Sequence, residues 1–447
     1  MNVDIKQLIK KYNTPGPRYT SYPTVPYWKN EHLSEKDWFK VLKKINDNSI
    51  SIYIHLPFCE QLCTFCGCHK RITKNHAVEV PYINAVLNEW LLYKKHLPAD
   101  LIITEIHLGG GTPTFFSPSE LRRLILGITD GVNISSCSMG FEAHPNNTTV
   151  EHLETLYILG FRRISLGIQD YNLEVQSAIH RIQTVNQVLK IHNKAKEIGY
   201  SINHDLVYGL PFQDLNALIT TLNITVEMRP DRIALYSYAH VPWIKGTGQR
   251  GYHEADLPNA RIKSECYEYA SQFLTEHGYL SIGMDHYALP HDELAIAVNK
   301  GTLHRNFMGY TIQKSTNMIG LGMSAISDAW FGFAQNSKQV ESYISSIDRG
   351  EIPIYRGHLL TANDLEIRTK ILELMCQFQT TLPKNKNHRN QIVERLAPLE
   401  ADGIIEINKD QVKIQPGFRA FVRNVCMCFD EHLWNNPIKE NTFSKTI

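Results

Sequence analysis

Four cysteines fall close together in the stretch HLPFCEQLCTFCGCHK, at Cys59, Cys63, Cys66 and Cys68, with the spacing C-x3-C-x2-C-x-C. Thiolates are the usual ligands of iron-sulfur clusters. Three of them in one loop can bind three irons of a 4Fe-4S cubane and leave the fourth iron open to a chelating amino acid such as methionine. A structural zinc ion held by all four sulfurs, or plain buried thiols, satisfies the same spacing. Farther on, Gly109, Gly110, Gly111, Thr112 and Pro113 form a run where the backbone can approach a ligand closely, although such a run alone signals only a turn. Glu142, Gln169 and Asp205 are polar groups able to bond ribose hydroxyls or an amino group; singly, each reads equally as a cap or a satisfied core group. Tyr53 and Phe65 flank the cysteine loop and can cover a cluster or an adenine face, or merely pack.

The elements that position these residues alternate. Strands are expected at SIYIHL (51–56), ITEIHL (103–108), SMGFEA (138–143), RRISLGI (162–168), INHDLVYG (202–209) and DRIALYSY (231–238). Between them lie helix-like segments such as YINAVLNEWLLYKKH, VEHLETLYILG and NQVLKIHNKAKEIG. Strand then helix, repeated, implies parallel strands with right-handed crossovers, hence an α/β barrel or an open wound sheet. In such folds ligands gather beyond the carboxyl ends of the strands, where the cysteine loop and the glycine run sit. From Thr361 the texture becomes helix, helix, then the alternating pair GIIEI and QVKI, which reads as a small helical domain with a hairpin wing, like a winged helix. Ahead of the first strand, the prolines and aromatics of TPGPRYTSYPTVPYW favour an extended arm packed on something. The expected division is an arm over residues 1–45, a catalytic domain over 46–355 and a C-terminal domain over 356–447.

A chain of 447 residues exceeds the size at which one core usually keeps growing, which suits two domains. Its 46 basic and 45 acidic residues and 43% hydrophobic content are those of an ordinary globular protein. The net charge of +1 gives no electrostatic case for nucleic acid. No apolar run is long enough for a membrane span, and the N-terminus lacks a signal-peptide pattern, so a cytoplasmic location is expected. Nine cysteines, four of them in one short stretch, do not read as a secreted disulfide framework. Cys426 and Cys428 receive no function.

From end to end the chain resembles the oxygen-independent coproporphyrinogen III oxidase (dehydrogenase) family of heme biosynthesis, part of the radical S-adenosylmethionine superfamily. The segments that carry the likeness are PRYTSYP, PFCEQLCTFCGC, IHLGGGTPT, SLGIQDYN, DLVYGLP, YSYAHVP, MDHYALP, LHRNFMGYT, GLGMSAIS and RNVCMCFD, in that family's order. C-x3-C-x2-C and GGGTP are shared widely in the superfamily; PRYTSYP, the CGC ending and HRNFxGYT are more specific. The resemblance implies a partial (β/α)6 barrel and a C-terminal domain that helps cover the site. It makes Cys59, Cys63 and Cys66 the cluster ligands and Cys68 a non-ligand cysteine beside the reaction. It places a first S-adenosylmethionine on Tyr53, Phe65, Gly110, Glu142 and Ile326. A second would meet Gly111, Thr112, Gln169, Arg181, Asp205 and Ala239. Two departures stand out. His144 occupies FEAHP where an acidic residue before proline is common, which is expected to alter hydrogen bonding around Glu142, and His204 precedes Asp205.

The activity so implied is oxidative decarboxylation of two propionates of coproporphyrinogen III to vinyl groups, giving protoporphyrinogen IX, by way of a 5'-deoxyadenosyl radical. Here the cofactors perform the hard chemistry and the protein positions them. An electron donor such as flavodoxin or ferredoxin and an electron acceptor are implied, with a monomer as the default. The substrate's four carboxylates call for cations, and Arg18 in the arm is the candidate. Two alternatives differ from this reading in visible ways. A heme-binding or heme-trafficking relative would end the motif in C-D-F and lack the PRYTSYP arm, and a zinc or redox-sensing protein would use the winged helix on DNA.

Overall fold

Six apolar runs become strands β1 (Ser49–Leu56), β2 (Ile102–Gly110), β3 (Ser138–Ala143), β4 (Arg163–Gln169), β5 (Ser201–Tyr208) and β6 (Arg232–Ser237). The structure is a computed structural model that describes residues 5–28, 33–44, 47–242, 248–314, 316–436 and 443–446. Every neighbouring pair from β1 to β6 is parallel, and the strands stand side by side in chain order. Each crossover runs through helix, as with Glu79–Lys94 between β1 and β2 and Val185–Ile198 between β4 and β5. Right-handed crossovers that always step the same way put all the helices on one face, so the sheet curls around its other face as a barrel does. That order settles barrel against doubly wound sheet.

Period-two alternation explains which side chains reach the inside. On β1, Ile50, Ile52, Ile54 and Leu56 are almost fully buried in the main core, which also takes Tyr82, Ile83, Val86 and Trp90 of the first crossover helix. Burying each such side chain stabilises the fold by roughly 1.5–3 kcal/mol. The intervening Tyr53 and His55 point to the opposite face, where the cavities lie. The curl stays open. β6 continues antiparallel through His286–Ala288 to Leu280–Gly283, while β1 pairs in parallel with Asn317–Leu321. From there Ile326–Ala329, Gly332–Asn336 and Ile354–Leu359 extend the sheet in antiparallel fashion to twelve strands. These later strands are not among those expected from sequence; their short apolar runs are broken by Gly320, Gly322, Gly332 and Gly357.

Beyond Thr361, whose side chain caps Ala362–Gln377 by accepting from the Asp364 amide, a second core forms around Ile371, Leu374, Ile392, Leu396, Phe421 and Phe429. The hairpin Ile405–Asn408 and Gln411–Ile414 is present, with a third strand, Gln379–Thr381, paired to it. The arm is tied to this unit. Arg423 donates to the carbonyls of Pro17 (2.9 Å), Lys445 (2.9 Å) and Gly16, and the Tyr19 hydroxyl donates to Asp430 (3.0 Å). The stretch before β1 also holds two helices, Ile5–Tyr12 and Glu35–Leu42, and the latter sends Trp38 and Phe39 into the barrel core. The expected boundary at residues 45 and 46 lies outside the described residues. Among the described residues no helix is long and apolar enough to cross a membrane.

Candidate active site

The loop after β1 carries Cys59, Cys63 and Cys66 around a cavity of about 140 Å3, also lined by Phe65, Lys70, Gly111, Thr112, His144 and Arg181. Thr112 Oγ1 donates to Cys59 Sγ (3.3 Å), and Arg181 Nη1 donates to Cys63 Sγ (3.5 Å). Burial pushes the Cys59 thiol up to about 11. The Cys66 thiol is held below its ordinary range, chiefly by a side-chain bond from Cys68 and further by the charges of Lys70 and Arg181. Cations and donors aimed at thiols favour thiolates. Among the described residues no three His, Cys, Asp or Glu side chains group closely enough for one metal ion. Three thiols lining one cavity are the ligand set of a cubane with one free corner.

Cys68 faces elsewhere, lining a second cavity of about 390 Å3 with Tyr53, His107, Gly110, Glu142, Phe307, Ser324 and Ile326. The glycines make this wall. Gly110 has φ +113, and a Cβ there would meet the His55 ring at 2.8 Å; one on Gly111 would strike the Pro57 carbonyl at 2.6 Å. Their side-chain-free backbone therefore lets the two cavities approach, with Gly110 on one and Gly111 on the other. Glu142 accepts from the Gly110 amide (3.2 Å) and lies 3.6 Å from His107 Nε2. His144 does not join that carboxylate, contrary to expectation: its Nδ1 accepts from the Asn146 amide (3.1 Å) and it lines the thiol cavity instead.

A third cavity of about 140 Å3 fills the barrel interior and shares His107, Glu142 and Met308 with the second. Asp205 lines it, accepting from Ser165 Oγ (2.7 Å) and Asn203 Nδ2 (2.8 Å), and burial raises its carboxyl to about 6. Gln169 takes a left-handed conformation, φ +70, at the end of β4, with its Nε2 where a Cβ on Gly167 would meet it at 2.9 Å; the Gly167 carbonyl accepts from Arg181 (2.6 Å). Ala239 follows β6, and Gln249 Nε2 donates to both the Ala239 carbonyl (2.8 Å) and that of Phe65 (3.3 Å). Gln169 and Ala239 line none of the three cavities.

Arg18 lies apart. It donates to Asp285 and sits 5.6 Å from the Tyr236 ring, so its charge already has a partner. His204 is buried and bonds His192 (3.0 Å) on the outer side of β5. No residue after Arg356 lines any of the three cavities among the described residues, so the C-terminal unit, expected to cover the site, reaches it through the arm, where Val25 lines the second cavity. Sequence reasoning passed over His107, Phe307, Met308 and Arg356; the first three lie inside the quoted segments IHLGGGTPT and LHRNFMGYT.

A model of the Radical SAM superfamily matches residues 53–223. The oxygen-independent coproporphyrinogen III oxidase of Escherichia coli (strain K12) is 36% identical over 450 residues, covering 98% of each chain. That of Helicobacter pylori (strain J99) is 38% identical over 451 residues, again with 98% of each covered. The solved structure of coproporphyrinogen III oxidase (HemN) from Escherichia coli, described as a radical SAM enzyme, superposes with a TM-score of 0.90 at 34% identity, over 97% of this chain and 100% of that one. Identity at this level over nearly the whole length, on the same fold, places the chain in the family of oxygen-independent coproporphyrinogen III oxidases within the radical S-adenosylmethionine superfamily.

Proposed function

We propose that this chain catalyses oxygen-independent oxidative decarboxylation of two propionate side chains of coproporphyrinogen III, giving protoporphyrinogen IX in heme biosynthesis. Besides family membership, one observation supports it: the consecutive residues Gly110 and Gly111 line the cavity beside Cys68 and the thiol cavity, one each, so groups held in the two stand side by side. When bound, a 4Fe-4S cluster and S-adenosylmethionine supply the electron and the adenosyl radical that attacks a substrate C–H bond.

Cys59, Cys63 and Cys66 hold the cluster in this reading, and Thr112 and Arg181 steady two of those sulfurs. Tyr53, Phe65, Gly110, Glu142 and Ile326 hold the first S-adenosylmethionine. Gly111, Thr112, Gln169, Arg181, Asp205 and Ala239 take a second, and Cys68 stands beside the reacting groups. Val25, Phe307, Met308 and Met318 line the cavity with apolar surface that keeps water from a reactive centre. The enzyme works as a cytoplasmic monomer, drawing electrons from a donor such as flavodoxin or ferredoxin and passing the product's electrons to an acceptor.

The test is anaerobic incubation of reconstituted protein with coproporphyrinogen III, S-adenosylmethionine, a reductant and cell extract as acceptor source. Formation of both 5'-deoxyadenosine and protoporphyrinogen is expected. Cleavage of S-adenosylmethionine without decarboxylated product would move the substrate elsewhere.

A further inference from the structure

Four arginines of the barrel and its arm have carboxylate partners, and Arg356 does not. Arg163 pairs with Glu105 (3.0 Å), Arg232 with Asp292 (2.7 Å), Arg368 with Asp328 (2.6 Å), and Arg18 with Asp285. Arg356, on the strand Ile354–Leu359, has no carboxylate partner among the described residues. Its Nε donates to Gln335 Oε1 (2.8 Å), and Gln335 Nε2 donates in turn to the Ser324 carbonyl (3.2 Å) of the GLGMSAIS turn. The guanidinium lies 5.6 Å from the Trp28 ring, itself stacked on Phe333 at 5.0 Å. The group is thus fixed by one nitrogen and one face, while neither terminal nitrogen forms a hydrogen bond among the described residues. That leaves the two-pronged edge that binds carboxylates without a partner, on a residue that is the one Lys or Arg among the described residues lining this cavity.

A second cation, Lys338, lies just past the strand paired with that of Arg356, where Gln335 stands opposite Arg356 and the Ser337 amide donates to the Pro353 carbonyl (2.7 Å), although it lines none of the three cavities. Lys338 has no ion pair among the described residues, and its Nζ lies 5.2 Å from the Tyr355 ring. Burial, with the charge of Arg356, lowers the Lys338 ammonium, and burial then the charge of Lys338 lower the His69 imidazole to about 4, with Arg356 and Lys70 adding to it. Glu142, the carboxylate on the same cavity, is engaged by the Gly110 amide (3.2 Å) and lies 3.6 Å from His107, so Arg356 and Lys338 have no carboxylate of their own among the described residues, and an anion joining them would be favoured. His69 and Cys68 line the same cavity as Arg356, so that anion would lie beside the cysteine loop.

We infer that Arg356 and Lys338 form a carboxylate grip for the porphyrinogen, holding a propionate at the mouth of the cavity lined by Cys68 and Ile326. This rests on the substrate reading above and takes over the role expected of Arg18. An acidic donor protein would see the same charges from outside, but Arg356 lines the cavity and is locked by Gln335 to the turn that bears Ile326, which favours the small polycarboxylate.

The probe is coproporphyrin III, the oxidised and unreactive form of the substrate, titrated by fluorescence into full-length, cluster-loaded protein holding S-adenosylmethionine. Arg356→Gln and Lys338→Gln should each weaken its binding roughly tenfold, and Arg356→Lys less. S-adenosylmethionine affinity, measured on the same variants, should change under about twofold. Equal loss of both ligands would overturn the grip, assigning Arg356 to the cofactor. Unchanged coproporphyrin III binding, with turnover lost only when a donor protein replaces dithionite, would overturn it in favour of a docking face. A wild-type protein that binds no coproporphyrin III would overturn the substrate reading and the grip together, whereas binding that persists in both variants sinks the grip alone.

Discussion

The sequence contains Cys-x-Cys twice, in Cys66-Gly67-Cys68 and in Cys426-Met427-Cys428, and the two regions make opposite use of it. In the loop after β1 both thiols are free, Cys66 bordering the thiol cavity and Cys68 the next one. In the helix Val422–Phe429 the same spacing rotates the side chains onto different faces: Cys426 Sγ points to the Ile371 carbonyl (4.0 Å) and Cys428 Sγ to that of Arg395 (3.4 Å). Burial drives both helix thiols up, Cys428 to about 12. Such groups are inert hydrophobes with a weak donor. The element beneath a cysteine pair, more than its spacing, decides whether it can do chemistry.

Serine scanning of both regions breaks or sharpens this contrast most strongly. Cys59→Ser, Cys63→Ser and Cys66→Ser should each abolish cluster assembly, read as lost iron and sulfide and lost visible absorption. Cys68→Ser should keep the cluster while losing activity; a cluster lost in Cys68→Ser would dissolve the distinction between the two sulfurs of the loop. Next in size is a pair of glycine replacements. Gly111→Ala puts a methyl 2.6 Å from the Pro57 carbonyl, whereas Gly417→Ala, in the C-terminal region, meets nothing within 4 Å. Overpacking of that kind costs typically about 1–3 kcal/mol, so thermal melts should show a clear drop for Gly111→Ala and almost none for Gly417→Ala.

The loop was legible because its ligands are local. Four cysteines in one stretch and a glycine run at a strand end need no tertiary information to be noticed, and the six barrel strands follow from alternation. What escaped depends on chain-distant partners. Arg356 and Arg18 look alike in sequence; only the fold supplies Asp285 to one and leaves the other's terminal nitrogens free. The four strands from Asn317 to Leu359 carry too few residues and too many glycines for periodicity to show, yet they bring Ile326 to the cavity. The influence expected of His144 on Glu142 failed for a similar reason. The chain turns after β3, so His144 meets the amide of Asn146 rather than the neighbouring carboxylate.

Acid titration separates the regions more gently. Burial raises Asp205 from its ordinary 3.8 to about 6, so between those values the folded chain keeps a proton that the unfolded chain has released. Its contribution to stability therefore falls as pH rises through that window, by at most about 1.4 kcal/mol per pH unit. Asp205→Asn should remove this slope from denaturant midpoints measured at pH 4 to 6. If it does not, the carboxyl titrates normally and the barrel interior is wetter than its packing indicates.

The smallest effect is expected at Cys428. Its thiol donates to the carbonyls of Arg395 (3.4 Å) and Asn424 (3.5 Å), the second a bond within the helix. A serine hydroxyl can make the same helix bond, so no buried donor is stranded and the change loses only the apolar volume of sulfur. Cys428→Ser should cost under about 1 kcal/mol in denaturant unfolding and leave iron content untouched. Iron lost from Cys428→Ser would mean that the C-terminal thiols communicate with the cluster loop. One hydrogen-bonded route between them runs through the arm, from Arg423 to Pro17 and from Asp430 to Tyr19, and on along the arm to Val25 at the cavity wall; another runs from the helix Ala362–Gln377 through Arg368 to Asp328, two residues from Ile326.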